Sequence, residues 1–259
     1  KIGFTNGIKR RHGGFFSNQR VAWQRAYAEA CQVARARVTG VVLPCPVGWG
    51  QCRRAVLTAA AAAARLPTPR LVPEPVAAAA HFVGARGVQV PPGRCVLVYD
   101  LGGGTVEATV LRRTAAGFDI VATEGLDDVG GNDIDAAIVT YLREQVRPDD
   151  SAWRQLTQPE STMELHAARA LWDGVRAAKE RLSRASSTVV SVPLLGVDAP
   201  LGREQFEEMA QPILARTITV TRSVLAAARV APADLAGVFP VDGSSRIPLV
   251  TTLLHRTLG

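Results

Sequence analysis

The chain has 259 residues, of which 47% are apolar and 20% are charged. This composition is typical of a folded globular protein with one large core or two modest lobes, and it excludes a disordered chain. No apolar run reaches the roughly 18 residues that a membrane helix needs. The nearest candidate, Ala55–Ala64, lies between Arg54 and Arg65 and is typical of a packed helix. No apolar signal core follows the basic N-terminal residues, so we expect a cytoplasmic protein without an export signal.

The formal net charge of +7 raises the alternative of a nucleic-acid partner. However, the basic residues are spread along the chain, and only Lys9–Arg11 forms a short cluster. No aromatic residues alternate with basic ones in the way that base stacking needs. The sequence therefore does not favour nucleic-acid binding.

The four cysteines contain no Cys-x-x-Cys pair and have no histidine at a metal-ligand spacing. We therefore expect reduced, mostly buried thiols and no metal cluster. An interaction between Cys45 and Cys52 remains open at this stage.

The first part of the chain alternates between helix and strand patterns. Residues 1–18 show no clear periodicity, and a helix is predicted from Asn18 to Arg37. The β-branched run Val38–Leu43 predicts a buried strand that is stopped by Pro44 and Pro46. A helix over residues 50–65, a short strand at 70–72 and a helix opened by Pro73-Glu74-Pro75 follow. This alternation is the pattern of an α/β layer.

The glycine- and proline-rich segment Gly84–Arg94 is the best candidate for a domain boundary. The elements predicted beyond it are a strand at 95–100, a hairpin at 106–112 and 118–123, a helix after Gly130, a helix at 164–183, a strand at 188–195, a helix at 203–229, a strand at 235–241 and a helix from Arg246.

Three turns rich in small residues lie where predicted strands end and helices or hairpins begin. They are Asp100-Leu-Gly-Gly-Gly-Thr105, Gly130-Gly131 and Gly243-Ser244-Ser245-Arg246. Such turns expose backbone N–H groups without a Cβ in the way, which is what phosphate oxygens require. One triple-glycine turn alone is more often a plain hairpin than a site. The order and spacing of all three are more specific.

Five segments follow one another along the chain: Val72–Ala80, Val96–Glu107, Val129–Asp135, Ala178–Ser183 and Val241–Pro248. In this order they resemble the nucleotide-binding domain of the DnaK-type chaperones, the seventy-kilodalton heat-shock family of actin-like ATPases. The strongest match is Val96–Glu107, which resembles the second phosphate motif of actin-like ATPases. The others are Val72–Ala80, similar to the connecting segment, Val129–Asp135, similar to the Gly-Gly-Glu-Asp-Phe-Asp turn, Ala178–Ser183, similar to an adenosine-side helix, and Val241–Pro248, similar to the adenosine motif. Filament-forming bacterial actins share the segments that resemble Val72–Ala80 and Val96–Glu107, but they lack the adenosine-side helix and the ending that resembles Val241–Pro248. Sugar kinases of the same fold are less similar.

The resemblance implies bound ATP or ADP with Mg²⁺ and assigns roles to particular positions. Glu74 would orient Mg²⁺ or the attacking water, Pro75 would act as a switch, Asp100 would lie near the metal through water, and Thr105 would contact the γ-phosphate. The resemblance also implies cofactor-binding roles for Gly102, Gly103, Gly104, Thr105, Gly130, Gly131, Lys179, Ser183, Gly243, Ser244 and Arg246.

Several positions depart from the family pattern. The first phosphate motif and the lobe I lysine are not visible, since Lys1 and Lys9 lie in no matching context. Asp242 stands where the family usually has glycine, and Arg176 stands where it commonly has glutamate. A carboxylate about 5 Å from a phosphate charge costs roughly 3 kcal/mol at an effective dielectric constant near 20. We therefore expect weak nucleotide binding unless Arg246 compensates or Asp242 points away.

The predicted fold class is α/β, an actin-like ATPase (ribonuclease H-like) fold. Residues 1–86 are predicted to be part of lobe I, and residues 87–259 are predicted to be lobe II with the phosphate and adenosine motifs. The predicted function is an ATP-binding chaperone-like protein with a protein partner and weak ATP hydrolysis coupled to lobe closure. The alternative is a degenerate pseudo-ATPase that acts as a scaffold or interaction module. A filament-forming protein or a nucleic-acid binder is the least favoured reading.

Overall fold

The computed structural model describes residues 15–146 and 150–259, with side chains from Val21 and, after the gap, from Ser151. The elements are α1 (Phe15–Ala34), β1 (Val41–Cys45), α2 (Gln51–Ala63), β2 (Pro69–Pro73), α3 (Glu74–Arg86), β3 (Cys95–Leu101), β4 (Val106–Arg113), β5 (Phe118–Leu126), α4 (Gly131–Gln145), α5 (Asp150–Thr157), α6 (Thr162–Leu182), β6 (Ser187–Val192), β7 (Val197–Gly202), α7 (Arg203–Ala228), β8 (Leu235–Val241) and α8 (Pro248–Leu258). The predictions for residues 1–14, including Lys1 and the cluster Lys9–Arg11, lie outside the described residues.

A four-stranded sheet in the order β5-β4-β3-β8 forms the centre of the fold. Strand β3 pairs antiparallel with β4 and parallel with β8. Side chains along β3 alternate between two cores, as the strand repeat of two requires. Leu97, Tyr99 and Leu101 pack in the large core with α4, α6, α7 and α8. Val96 and Val98 pack in a smaller core on the opposite face. The continuous apolar run of β3 therefore reflects burial on both faces.

Helix α3 covers the smaller core. Ala79 is fully buried, and the ring of Phe82 stacks on Phe239 of β8 with 4.5 Å between centroids. Helix α3 also contacts β1 and β2, so it lies between the small β1–β2 sheet and the four-stranded sheet. The division into residues 1–86 and 87–259 stays a prediction. The last helix of the first part nonetheless packs on the sheet of the second.

Strands β1 and β2 form a parallel pair. The prediction that Pro44 and Pro46 stop the first strand is wrong for Pro44, which lies inside β1 and pairs with Val72, whereas the strand does end before Pro46. Proline cannot donate to a ladder and is tolerated on edge strands. Within the described residues both strands of this sheet are edge strands, so the missing N–H need not leave a neighbouring strand unpaired. The prediction that the first strand is buried is wrong at Val42, which is exposed.

Two elements differ from the sequence prediction. The strand predicted at 188–195 is a hairpin of β6 and β7, with Leu194 and Gly196 at positive φ in its turn. The helix α5 was not predicted. Strand β7 has little β-branched character and contains Pro200, so its sequence carries a weak strand signal. By contrast, α7 forms as predicted despite Pro212 in its interior.

Among the described residues, no helix is both long enough and apolar enough to cross a bilayer. The four cysteines are free thiols, so no bond joins Cys45 to Cys52. The prediction of mostly buried thiols holds for Cys45 and Cys95, whereas Cys52 is exposed. No cluster of three metal-ligating side chains occurs in the part of the chain that the structure describes.

Candidate functional site

The three small-residue turns meet at one end of the four-stranded sheet. Asp100 at the end of β3 is in register with Val241 at the end of β8, and the two strands run parallel. The turns that follow these strands, Gly102–Gly104 and Asp242–Arg246, therefore leave the sheet at the same edge. Carboxyl ends of parallel strands are where α/β folds place ligand sites.

The second turn is hydrogen bonded to the first. The N–H of Gly131 donates to the carbonyl oxygen of Gly102 at 2.9 Å, and the N–H of Asn132 donates to that of Gly103 at 2.6 Å. A Cβ on Gly130 would stand 2.5–2.6 Å from backbone atoms of Gly103 and Gly104. Real Cβ atoms do not approach backbone so closely, so only glycine fits at position 130 without moving the loop.

The third turn contacts both of the others. Ser245 Oγ accepts a hydrogen bond from the N–H of Leu101 at 3.1 Å. Ser244 Oγ occupies the space that a Cβ on Gly131 would need. Both serines are buried, whereas Gly243 and Arg246 are exposed. The structure therefore brings all three predicted turns together.

The first turn is closed by its own backbone. The N–H of Gly102 donates to the carbonyl oxygen of Thr105 at 3.0 Å. Thr105 is buried, Asp100 is half-buried, and Gly103 is exposed. The tip of the loop thus faces solvent while its base is fixed to the sheet.

The side chain of Lys179 in α6 contacts the second turn. Its Nζ donates to the carbonyl oxygen of Gly131 at 2.8 Å and forms a 2.8 Å ion pair with Asp135 of α4. Burial raises the pKa of the Asp135 carboxyl, and the hydrogen bond from Lys179 opposes that rise. Ser183, at the end of the same helix, donates from Oγ to the carbonyl oxygen of Lys179 at 3.4 Å.

The C-terminal end of α6 is held by Arg203. Its Nε donates to the carbonyl oxygen of Leu182, and an Nη donates to that of Ala185, both at 3.0 Å. The Leu182 carbonyl belongs to the unsatisfied C-terminal end of the helix, where a cation is favourable, and Ala185 lies in the turn that follows. Arg203 therefore fixes the segment that carries Lys179 and Ser183.

Glu74 and Pro75 lie at the start of α3, directly after β2. Glu74 is half-buried and Pro75 is buried. The charge of Glu74 acts on the thiol of Cys45, whose pKa is raised chiefly by burial. These two residues are therefore placed beside the small sheet, on the helix that links it to the four-stranded sheet.

Sequence reasoning assigned no individual role to three residues of this region, although each lies in a segment that it singled out. Asp135 holds Lys179, Ser245 ties the third turn to β3, and the side chain of Asn132 lies against Gly103 and Gly104. Asn132 and Asp135 stand within the segment that was matched to a family turn, so their position was a usable signal. Their partners lie far along the chain and were not visible in the sequence.

Asp242 adopts the left-handed conformation, with φ of 69°. Its Oδ2 atom lies 3.3 Å from the place that a Cβ on Gly102 would take. The residue is exposed at the edge of the first turn. Left-handed backbone favours glycine, which is the residue that the resembling motif has at this position.

Taken together, the elements form a mixed α/β protein whose glycine turns are joined at the ends of two parallel strands. Residues 21–259 match the family model described as Hsp70 protein. The chain belongs to the Hsp70 family, which implies an actin-like ATPase fold, and it corresponds to a nucleotide-binding domain of the Hsp70 type.

Individual relatives of this chain are named as chaperone proteins. The chain is 36% identical over 224 residues to a chaperone protein HscA of Escherichia coli, with 86% of this chain and 33% of the relative covered. It is 35% identical over 224 residues to a chaperone protein HscA of Shigella boydii, with the same coverage. The chain thus spans about a third of the length of these curated relatives.

Proposed function

We propose that this chain binds ATP or ADP with Mg²⁺ at the three joined turns and acts as a chaperone-like protein. The observation that carries the proposal is that the segment Leu101–Gly104 is hydrogen bonded both to Gly131–Asn132 and to Ser245, while Ser244 lies against Gly131. Glycines at these points leave a cradle that side chains would fill, and small residues let backbone N–H groups approach phosphate oxygens.

The residues present fit a nucleotide with its metal. Thr105 adds a hydroxyl at the base of the loop, and Asp100 at the end of β3 would hold Mg²⁺ through water. When bound, the metal would neutralise phosphate charge. Glu74 would orient the metal or the attacking water by movement of α3, with Pro75 as the switch.

Lys179 and Ser183 would contact the adenosine side together with Gly243, Ser244 and Arg246. An ammonium group has three donors. Two directions are taken by Gly131 and Asp135, which fix the position of Nζ. A third donor would then face a ligand hydroxyl without further ordering of the side chain, which lowers the entropic cost of binding.

For the architecture, we propose that residues 87–259 form lobe II and that residues 1–86 form part of lobe I. Helix α3 would transmit lobe closure, because it contacts both sheets. A protein partner and weak hydrolysis coupled to this closure follow from the same proposal, by analogy with the relatives named as chaperones.

A second candidate function is a pseudo-ATPase that keeps the fold as a scaffold or interaction module. It is favoured by Asp242, whose carboxylate lies beside the loop that phosphate would occupy. A like charge at this place opposes a phosphate group directly.

Titration calorimetry with Mg·ATP, Mg·ADP and adenosine, paired with thermal unfolding, separates the two. The ATP-binding proposal expects heat of binding and a higher melting temperature with nucleotide. Absence of both at high protein concentration would reject it in favour of the scaffold. Release of inorganic phosphate measures hydrolysis separately.

A further inference from the structure

Two exposed side chains from different turns flank the first glycine loop. Asp242 places Oδ2 3.3 Å from the position that a Cβ on Gly102 would take. Asn132 places Oδ1 3.5 Å from the corresponding position on Gly103, and Nδ2 3.8 Å from that on Gly104. An anion seated on this loop would therefore meet a carboxylate from one turn and a neutral amide from the other.

Both residues depart from the family motifs that they otherwise match. Asn132 stands at the glutamate of the Gly-Gly-Glu-Asp-Phe-Asp turn, and Asp242 stands at a glycine of the adenosine motif. One carboxylate is lost and another is gained, so the number of carboxylates at these two positions is unchanged.

The exchange matters because each carboxylate acts on the same bound charge. At a separation of about 5 Å, one unit charge repels another enough to change affinity by about 4-fold to about 300-fold, for effective dielectric constants between about 80 and about 20. A carboxylate at both positions would apply this penalty twice. An amide at one of them leaves a hydrogen-bond donor in its place.

We propose that Asn132 and Asp242 together set the affinity for the phosphates of the nucleotide, because the neutral amide of Asn132 keeps a second carboxylate away from the loop that Asp242 already flanks. The inference rests on the proposed nucleotide binding at this loop. The affinity for ATP then depends on how many carboxylates the two positions hold, and not on which position holds them.

Four proteins test this inference: the natural protein, Asn132→Glu, Asp242→Gly and the double variant. Calorimetry with Mg·ATP is expected to rank Asp242→Gly tightest, the natural protein and the double variant within about threefold of each other, and Asn132→Glu weakest. Each step in the ranking is expected to be between about 4-fold and about 300-fold. Adenosine, which has no phosphate, is expected to bind all four proteins within about twofold.

Gln155→Glu is the matched control, because it adds the same charge at an exposed position on α5 outside the three turns. If thermal unfolding shows that Asn132→Glu is not folded, Asn132→Asp replaces it with a side chain of the same size as asparagine.

A double variant whose affinity for Mg·ATP differs from that of the natural protein by more than tenfold would overturn the proposal. So would an adenosine affinity that changes in step with that for ATP. If the natural protein binds no nucleotide, the proposed function fails as well. If it binds but the ranking is absent, this inference alone fails.

Discussion

The buried ion pair between Lys179 and Asp135 gives the sharpest test of how the site is held. The side chains of the two residues are 10% and 2% exposed, and Nζ lies 2.8 Å from the carboxylate. Lys179→Met keeps the length of the side chain and removes the charge. The variant leaves the buried carboxylate of Asp135 without its cation and removes the hydrogen bond to the carbonyl oxygen of Gly131. Loss of one partner of a buried pair costs about 3–5 kcal/mol.

The pH dependence of this loss identifies its cause. Burial already raises the pKa of Asp135, and Lys179 holds that rise back, so removing Lys179 raises the pKa further. A carboxyl group whose folded-state pKa is raised stabilises the fold below its unfolded pKa, near 3.9, and loses that contribution as the pH rises through the folded value. The deficit of Lys179→Met is therefore expected to be largest at pH 7 and smaller at pH 5.

Urea denaturation at both pH values measures the free energies of unfolding. Lys179→Met/Asp135→Asn removes the stranded charge and is expected to recover part of the loss at pH 7. Arg181→Met is the control, because it removes an exposed charge from the same helix and is expected to cost less than about 0.5 kcal/mol. A deficit that is equal at both pH values and is not relieved by the second substitution would refute the reasoning.

Two further predictions concern packing and the buried core. Gly130→Ala is expected to cost about 1–3 kcal/mol in the free energy of unfolding, because its Cβ would overlap backbone atoms of the first turn. Gly84 lies in α3 with open space around it, so Gly84→Ala is expected to raise the free energy of unfolding by about 0.5–1 kcal/mol. Equal effects of the two substitutions would contradict the close contact between Gly130 and the first turn. Tyr99→Phe is expected to cost about 1 kcal/mol, because Tyr99 donates a buried hydrogen bond to Thr217 at 2.6 Å. Burial raises the pKa of Tyr99 to about 12, so an absorbance titration of Tyr99→Phe should lack the ionisation step in that range, and a retained step would count against the assignment.

The elements around the candidate site could be predicted because their signals are local. The apolar run at β3, the Pro-Glu-Pro opening of α3 and the strand at β8 all form where the pattern placed them. The hairpin of β6 and β7 and the helix α5 could not be predicted as readily. Strand β7 has little β-branched character, and its side chains gain stability from α7 and β6 and not from intrinsic preference.

The sequence by itself determined where the chain turns and which turns lack side chains, because glycine spacing and strand alternation act over a few residues. Only the tertiary structure decided what those turns meet. Leu101 and Ser245 are 144 residues apart, and Lys179 and Gly131 are 48 residues apart, yet each pair is hydrogen bonded. Such contacts arise when helices bury their apolar faces on both sides of the sheet, and no local pattern specifies which distant carbonyl or carboxylate then lies beside a given donor.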